Sequence, residues 1–273
     1  MAEFIDFESD RKHYELGRYV HGKTLGTEPT DDMGTTKLSR VWTGDALRNS
    51  LFGYDGSYAD IQPQRGFSKN ASATNYYFVN GILNTYTKAE SSAQKIADRI
   101  GTKVTLIYSP TEDLYNDLKI AVAIDTGKFI TQATQKVREF VKRDLNQGKK
   151  VTVMAHSRGA AIVRVAIENF RLTPDQTQNL TIVTFGGYSP PAENWKTSAT
   201  VISFVNNKNS LETDPVPKLK DPIIHPSFLF KSLPLHFMDA YLGWIPIYQK
   251  LEAKGFKGKV TIKSEFLELF PIL

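Results

Sequence analysis

One serine in this chain stands where serine chemistry can be done. Val151-Thr152-Val153-Met154 is an apolar, β-prone run that leads directly into Ala155-His156-Ser157-Arg158-Gly159-Ala160, and an apolar helical stretch continues to Phe170. A serine on so tight a strand-to-helix turn needs small residues two positions before and two positions after it. Gly159 meets the second requirement, and Ala155 stands where glycine is more usual. The turn places the Ser157 hydroxyl at the positive end of the following helix, with the backbone N–H of Arg158 directed at an oxygen that becomes negative during attack. The chemistry this permits is acyl transfer through a serine nucleophile. The competing reading is an ordinary strand-to-helix turn whose serine caps the helix.

A serine nucleophile needs a base and an acid, which follow it in the chain in the order acid then histidine when the turn is of this kind. The chain has five histidines. His13 and His21 precede the sheet-forming region, and His156 is the immediate neighbour of the serine, so His225 and His236 remain as candidate bases. For the acid, the apolar run Val201 to Val205 opens into a polar loop from Asn206 to Pro217 that holds Glu212 and Asp214. Catalytic groups of open α/β sheets gather at that edge of the strands. Asp214 is the first candidate and Glu212 the alternative; read without the serine, Asp214-Pro215 is a turn. A second oxyanion donor must come from a loop after an early strand. Phe78-Val79-Asn80-Gly81-Ile82 offers the N–H groups of Gly81 and Ile82 and the side chain of Asn80, or else a plain Asn-Gly turn.

Three segments together resemble the lipase class 3 group of α/β hydrolases: Ala155 to Ala160, Thr184-Phe185-Gly186-Gly187-Tyr188-Ser189-Pro190, and Phe204-Val205-Asn206 leading to Asp214-Pro215-Val216-Pro217. The resemblance spans about residues 75 to 245. It implies a nucleophile at Ser157, a triad acid at Asp214, and a base at His236, which opens an aromatic-rich stretch; His225 resembles a noncatalytic histidine of that region and is the alternative base. The short interval between Asp214 and His236 departs from the family pattern. Implied as well is action on an ester of a hydrophobic or lipid substrate; peripheral membrane contact is a separate reading that the basic net charge allows. A catalytically inactive binding or signalling module, and a thioesterase or amidase using the same triad, are the alternatives.

The elements that must position these residues can be read from periodicity. Tyr76 to Val79 is strand-like, Lys88 to Ile100 helical and closed by Gly101, and Lys103 to Tyr108 a strand stopped by Ser109-Pro110. A helix is expected over about 126 to 146, with Phe129, Ile130, Ala133, Val137, Phe140, Val141 and Leu145 on its apolar face. Val151–Met154, Leu180–Phe185 and Val201–Val205 read as strands covered on both faces, and Ala160–Phe170 as a helix. Alternation of this kind predicts a mostly parallel central sheet flanked by helices, the α/β-hydrolase class. Residues 75–273 form the expected hydrolase domain. Residues 1–74 form a polar, glycine-rich lead expected to pack on it, with only Lys37 to Thr43 strand-like. The apolar Pro222 to Leu235 lies between acid and base and reads as core or as a lid; Phe266 to Leu273 is expected to dock on the domain.

Composition sets the outer limits. With no cysteine among 273 residues, thiolate metal sites, disulfides and cysteine nucleophiles are excluded. The net charge of +5 is spread along the chain rather than interleaved with aromatics, which predicts a solvated surface and no nucleic-acid partner. No run approaches the roughly 18 apolar residues of a membrane span, and the acidic start Met1 to Asp6 lacks a signal peptide's basic region. A soluble protein without a classical signal is therefore expected. Neither a phosphate-binding glycine loop nor a dinucleotide or metal-ligand pattern occurs, so no cofactor and no metal are expected. No sequence pattern sets an oligomeric state.

Overall fold

The computed structural model describes residues 56–64, 73–82, 84–110, 130–168, 170–187, 199–206 and 238–263. Among these, seven strands form one sheet: β1 (Tyr58–Ile61), β2 (Thr74–Val79), β3 (Val104–Ile107), β4 (Lys150–His156), β5 (Leu180–Phe185), β6 (Thr200–Val205) and β7 (Lys259–Lys263). Their spatial order is β1-β3-β2-β4-β5-β6-β7. β1 runs antiparallel to β3, and every other pairing is parallel.

Parallel strands need crossovers, and the helices supply them. Helix α1 (Tyr86–Ile100) is capped by the Thr85 side chain and ends at Gly101, whose φ of 70° is the left-handed conformation glycine adopts without strain. Helix α2 (Gln132–Asn146) begins where the Thr131 hydroxyl accepts from the Thr134 N–H at 3.0 Å. That cap corrects the expected start near 126: Ile130, expected on the apolar face, precedes the helix and is 48% exposed. Helix α3 (Arg158–Glu168) follows β4 directly, and the short α4 (Pro174–Gln178) carries a reciprocal capping box between Thr173 and Gln176. Beyond β6 come α5 (Met238–Tyr241), a 3₁₀ turn (Leu242–Trp244) and α6 (Ile245–Ala253).

Strand alternation divides the core into two layers. Tyr77, Val79, Val151, Val153 and Ala155 face α2 and α3. Tyr76, Phe78, Met154, Phe185 and Phe204 face α1 and the C-terminal helices, where Tyr241, Trp244 and Tyr248 are buried. Several features were not evident in the sequence. Strand β1 lies within the segment read as a lead, and α5, α6 and β7 follow it at the far end. Lys37 to Thr43, Pro222 to Leu235 and Phe266 to Leu273 lie outside the described residues.

At the amino-terminal edge of the sheet the fold is fastened by Asp144, whose side chain is fully buried. The Arg143 Nε donates to it at 2.8 Å, and Asn75 and the Tyr77 hydroxyl donate to its other oxygen. Burial pushes the carboxyl upward, but these donors outweigh it and hold Asp144 below the usual carboxylate range. The Tyr77 phenol is pushed well up, first by burial and then by the carboxylate it serves. Among the described residues no helix is long and apolar enough to cross a membrane.

Candidate active site

Ser157 leaves the sheet at the carboxyl end of β4, the strand with three neighbours on each side. Its N–H donates to the Phe185 carbonyl at 3.1 Å as the last rung toward β5, and its own carbonyl accepts from Ala160 N–H at 3.0 Å inside the first turn of α3. Bridging strand and helix in a single residue forces φ to 54°, so that Ser157 is the sole non-glycine residue with positive φ among those described. Such backbone costs about 1–2 kcal/mol for an L-residue. Ser157 is also 1% exposed, and its Oγ has no hydrogen-bond partner among the described residues. A serine serving only as a helix cap would need neither the strain nor the buried, unpaired hydroxyl.

The small residues around the turn have steric reasons. A Cβ on Gly159 would lie 2.5 Å from the Val79 carbonyl oxygen and 3.0 Å from that of Asn80, so α3 can approach the end of β2 only through glycine. Gly159→Ala is expected to destabilise the fold by about 1–3 kcal/mol, read as a lower midpoint of urea unfolding with an unchanged slope. Ala155 faces the α2–α3 layer, where its methyl group is fully buried in the core. Gly187 repeats the pattern after β5, where a Cβ would stand 2.9 Å from Ala160 Cβ. Gly187 thus belongs to the packing of the elbow, a role that sequence spacing alone did not disclose.

The loop expected to supply the second oxyanion donor lies against the serine. A Cβ on Gly81 would sit 2.4 Å from Ser157 Cβ and 2.9 Å from His156 Nδ1, so the Gly81 backbone abuts the elbow and only glycine fits there. Ile82 is buried beside it, with its carbonyl accepting from Asn84 Nδ2 at 2.8 Å. Asn80 is turned to a different task. Its Oδ1 accepts from Ser109 N–H at 2.8 Å, and its Nδ2 donates to the Ser109 carbonyl at 2.7 Å. The carboxamide is thereby occupied in joining the ends of β2 and β3. Arg158 opens α3, where the helical ladder makes no use of the first N–H groups.

Asp214, Glu212, His225 and His236 lie outside the described residues. The segments that flank their loops do not. Asn206, which directly follows β6, donates its N–H to the Tyr241 hydroxyl at 3.1 Å and accepts from Trp244 Nε1 at 2.9 Å. The Tyr241 ring lies 6.1 Å from the His156 ring and 6.1 Å from that of Phe185. The residue that follows β6 and the C-terminal helical segment are therefore fastened to each other beside the elbow.

No family model matches the chain, and no curated protein matches it. Among solved structures, a Trichoderma reesei cutinase in complex with a phosphonate inhibitor is similar at a TM-score of 0.37 and 15% identity, over 88% of this chain and 99% of that one. Strand order, the parallel run and the strained serine at the end of the middle strand give this chain an α/β-hydrolase fold.

Proposed function

We propose that this chain is a serine ester hydrolase acting through an acyl-enzyme. The observation that carries the reading is the Ser157 backbone: a φ of 54° retained at a buried serine whose hydroxyl the described residues leave unpaired. Strain of this kind persists where a function requires it. In the proposed reaction His236 takes the Ser157 proton, Asp214 orients the resulting imidazolium, and the serine attacks an ester carbonyl. His225 and Glu212 are the alternatives for base and acid. The N–H groups of Arg158 with Gly81 or Ile82 receive the developing negative charge; the imidazolium protonates the departing oxygen as the ester C–O bond breaks and the alcohol leaves, and water then attacks the acyl-serine, releasing the acid and returning the proton to Ser157. The tie of Asn206 to Tyr241 and Trp244 supports a convergence of the acid and base loops on the elbow.

The substrate class rests on the resemblance of the three motifs to lipase class 3 enzymes, which favours hydrophobic or lipid esters. Turnover of p-nitrophenyl butyrate and palmitate, beside a matched thioester and anilide, tests the proposal. Ester hydrolysis is expected, with the long chain preferred. Turnover of thioester or anilide alone would reassign the reaction class; no turnover of any of the four by folded protein would favour a noncatalytic module.

A further inference from the structure

Arg158 follows the nucleophile candidate, yet its long side chain is 2% exposed and among the largest fully buried ones of the described residues. Its Nη2 donates to Ser109 Oγ at 3.0 Å and also to the Pro110 carbonyl. Ser109 is in turn held through both main-chain groups by the Asn80 carboxamide. Three segments are joined in this way: the elbow at Ser157-Arg158, the end of β3 at Ser109-Pro110, and the loop Asn80-Gly81-Ile82 after β2. The Gly81 backbone is the part of that loop pressed against Ser157.

Burying a guanidinium is expensive unless fixed acceptors satisfy it, and an aliphatic side chain would fill the same volume without that cost. What an arginine adds is a rigid, charge-assisted donor that spans two loops. We infer that Arg158 is a positioning residue for the oxyanion hole: through Ser109 and Asn80 its guanidinium sets the Gly81–Ile82 main chain against the elbow, so that two N–H donors converge on one substrate oxygen. The inference rests on the esterase reading and deepens it. Donors of this kind act only when held within a few tenths of an ångström of the oxygen's final place. A loosened strut therefore reduces stabilisation of the transition state and leaves ground-state binding in place.

The test compares wild type with Arg158→Leu, Arg158→Lys and Ser109→Ala for kcat and KM on p-nitrophenyl butyrate. It also measures affinity for a trifluoromethyl ketone, which mimics the tetrahedral intermediate. Arg158→Leu is expected to lower kcat about 10²-fold, the effect of losing one oxyanion donor, with KM within about twofold. Ketone affinity should fall by a similar factor, and Arg158→Lys should recover about tenfold of the rate by restoring one charged donor. Should Arg158→Leu fail to fold, Ser109→Ala removes one acceptor of the strut and is expected to lower kcat about tenfold. A folded Arg158→Leu, or in its place Ser109→Ala, with kcat within about threefold of wild type overturns the inference. So does a loss of rate with unchanged ketone affinity. An inactive wild type would instead overturn the esterase reading on which the inference stands, so the two failures are told apart by the wild-type rate.

Discussion

Ser157→Ala is expected to lower kcat for ester hydrolysis by about 10⁴-fold or more, because removing the nucleophile of a triad leaves only the oxyanion hole and binding. KM should change little. The same position makes a second, opposite expectation about stability. Alanine keeps the φ of 54° and its strain, whereas glycine adopts that conformation freely. Ser157→Gly should therefore be as inactive as Ser157→Ala but more stable by about 1 kcal/mol, after the greater flexibility of unfolded glycine has offset part of the relief. Urea unfolding of the two variants measures the difference. Equal midpoints would mean that the backbone at Ser157 is not strained, and the argument that a function keeps a serine there would lose its basis.

The largest expected effect on stability is at the other end of the sheet. Asp144→Ala leaves the Tyr77 hydroxyl and the Asn75 carboxamide without their acceptor and the Arg143 Nε without its carboxylate. The loss expected is about 3 kcal/mol. The carboxyl's depressed pKa adds a pH dependence with a definite sign. A carboxylate held below its unfolded value contributes stability that is complete above that value, about pH 4, and is lost as the pH falls through the folded value. Acid unfolding should accordingly be steeper in wild type than in Asp144→Asn, which has no carboxylate to protonate. Tyr77 acts at the other extreme: its raised pKa means that its contribution is present below about pH 10 and fades as the pH climbs further. Parallel acid-unfolding curves for wild type and Asp144→Asn would contradict this account.

Local patterns carried the sheet far better than they carried the contacts between elements. Leu180–Phe185 was legible residue for residue because a strand covered on both faces is one continuous apolar run bounded by polar turns. The elbow was legible because strand, small residues, serine and helix are consecutive. Helix α2 was placed correctly at its end but not at its start, since Ile130 mimics helical spacing while the Thr131 cap decides where the helix begins. Tyr58-Ala59-Asp60-Ile61 escaped notice because a four-residue antiparallel edge strand among polar neighbours has too little periodicity. The tasks of Asn80, Arg158 and Asp144 were hidden for a different reason. Each depends on partners far along the chain, as in the bonds from Asn80 and Arg158 to Ser109 and from Tyr77 to Asp144. An arginine or aspartate reads as surface until such partners are known.

The most direct test of the central claim is covalent: incubation of the folded wild-type chain with a fluorophosphonate, followed by intact mass and peptide mapping. One phosphonyl group per chain is expected, carried on Ser157, with none acquired by Ser157→Ala. A folded chain that gains no adduct, or gains it on another serine, would contradict it.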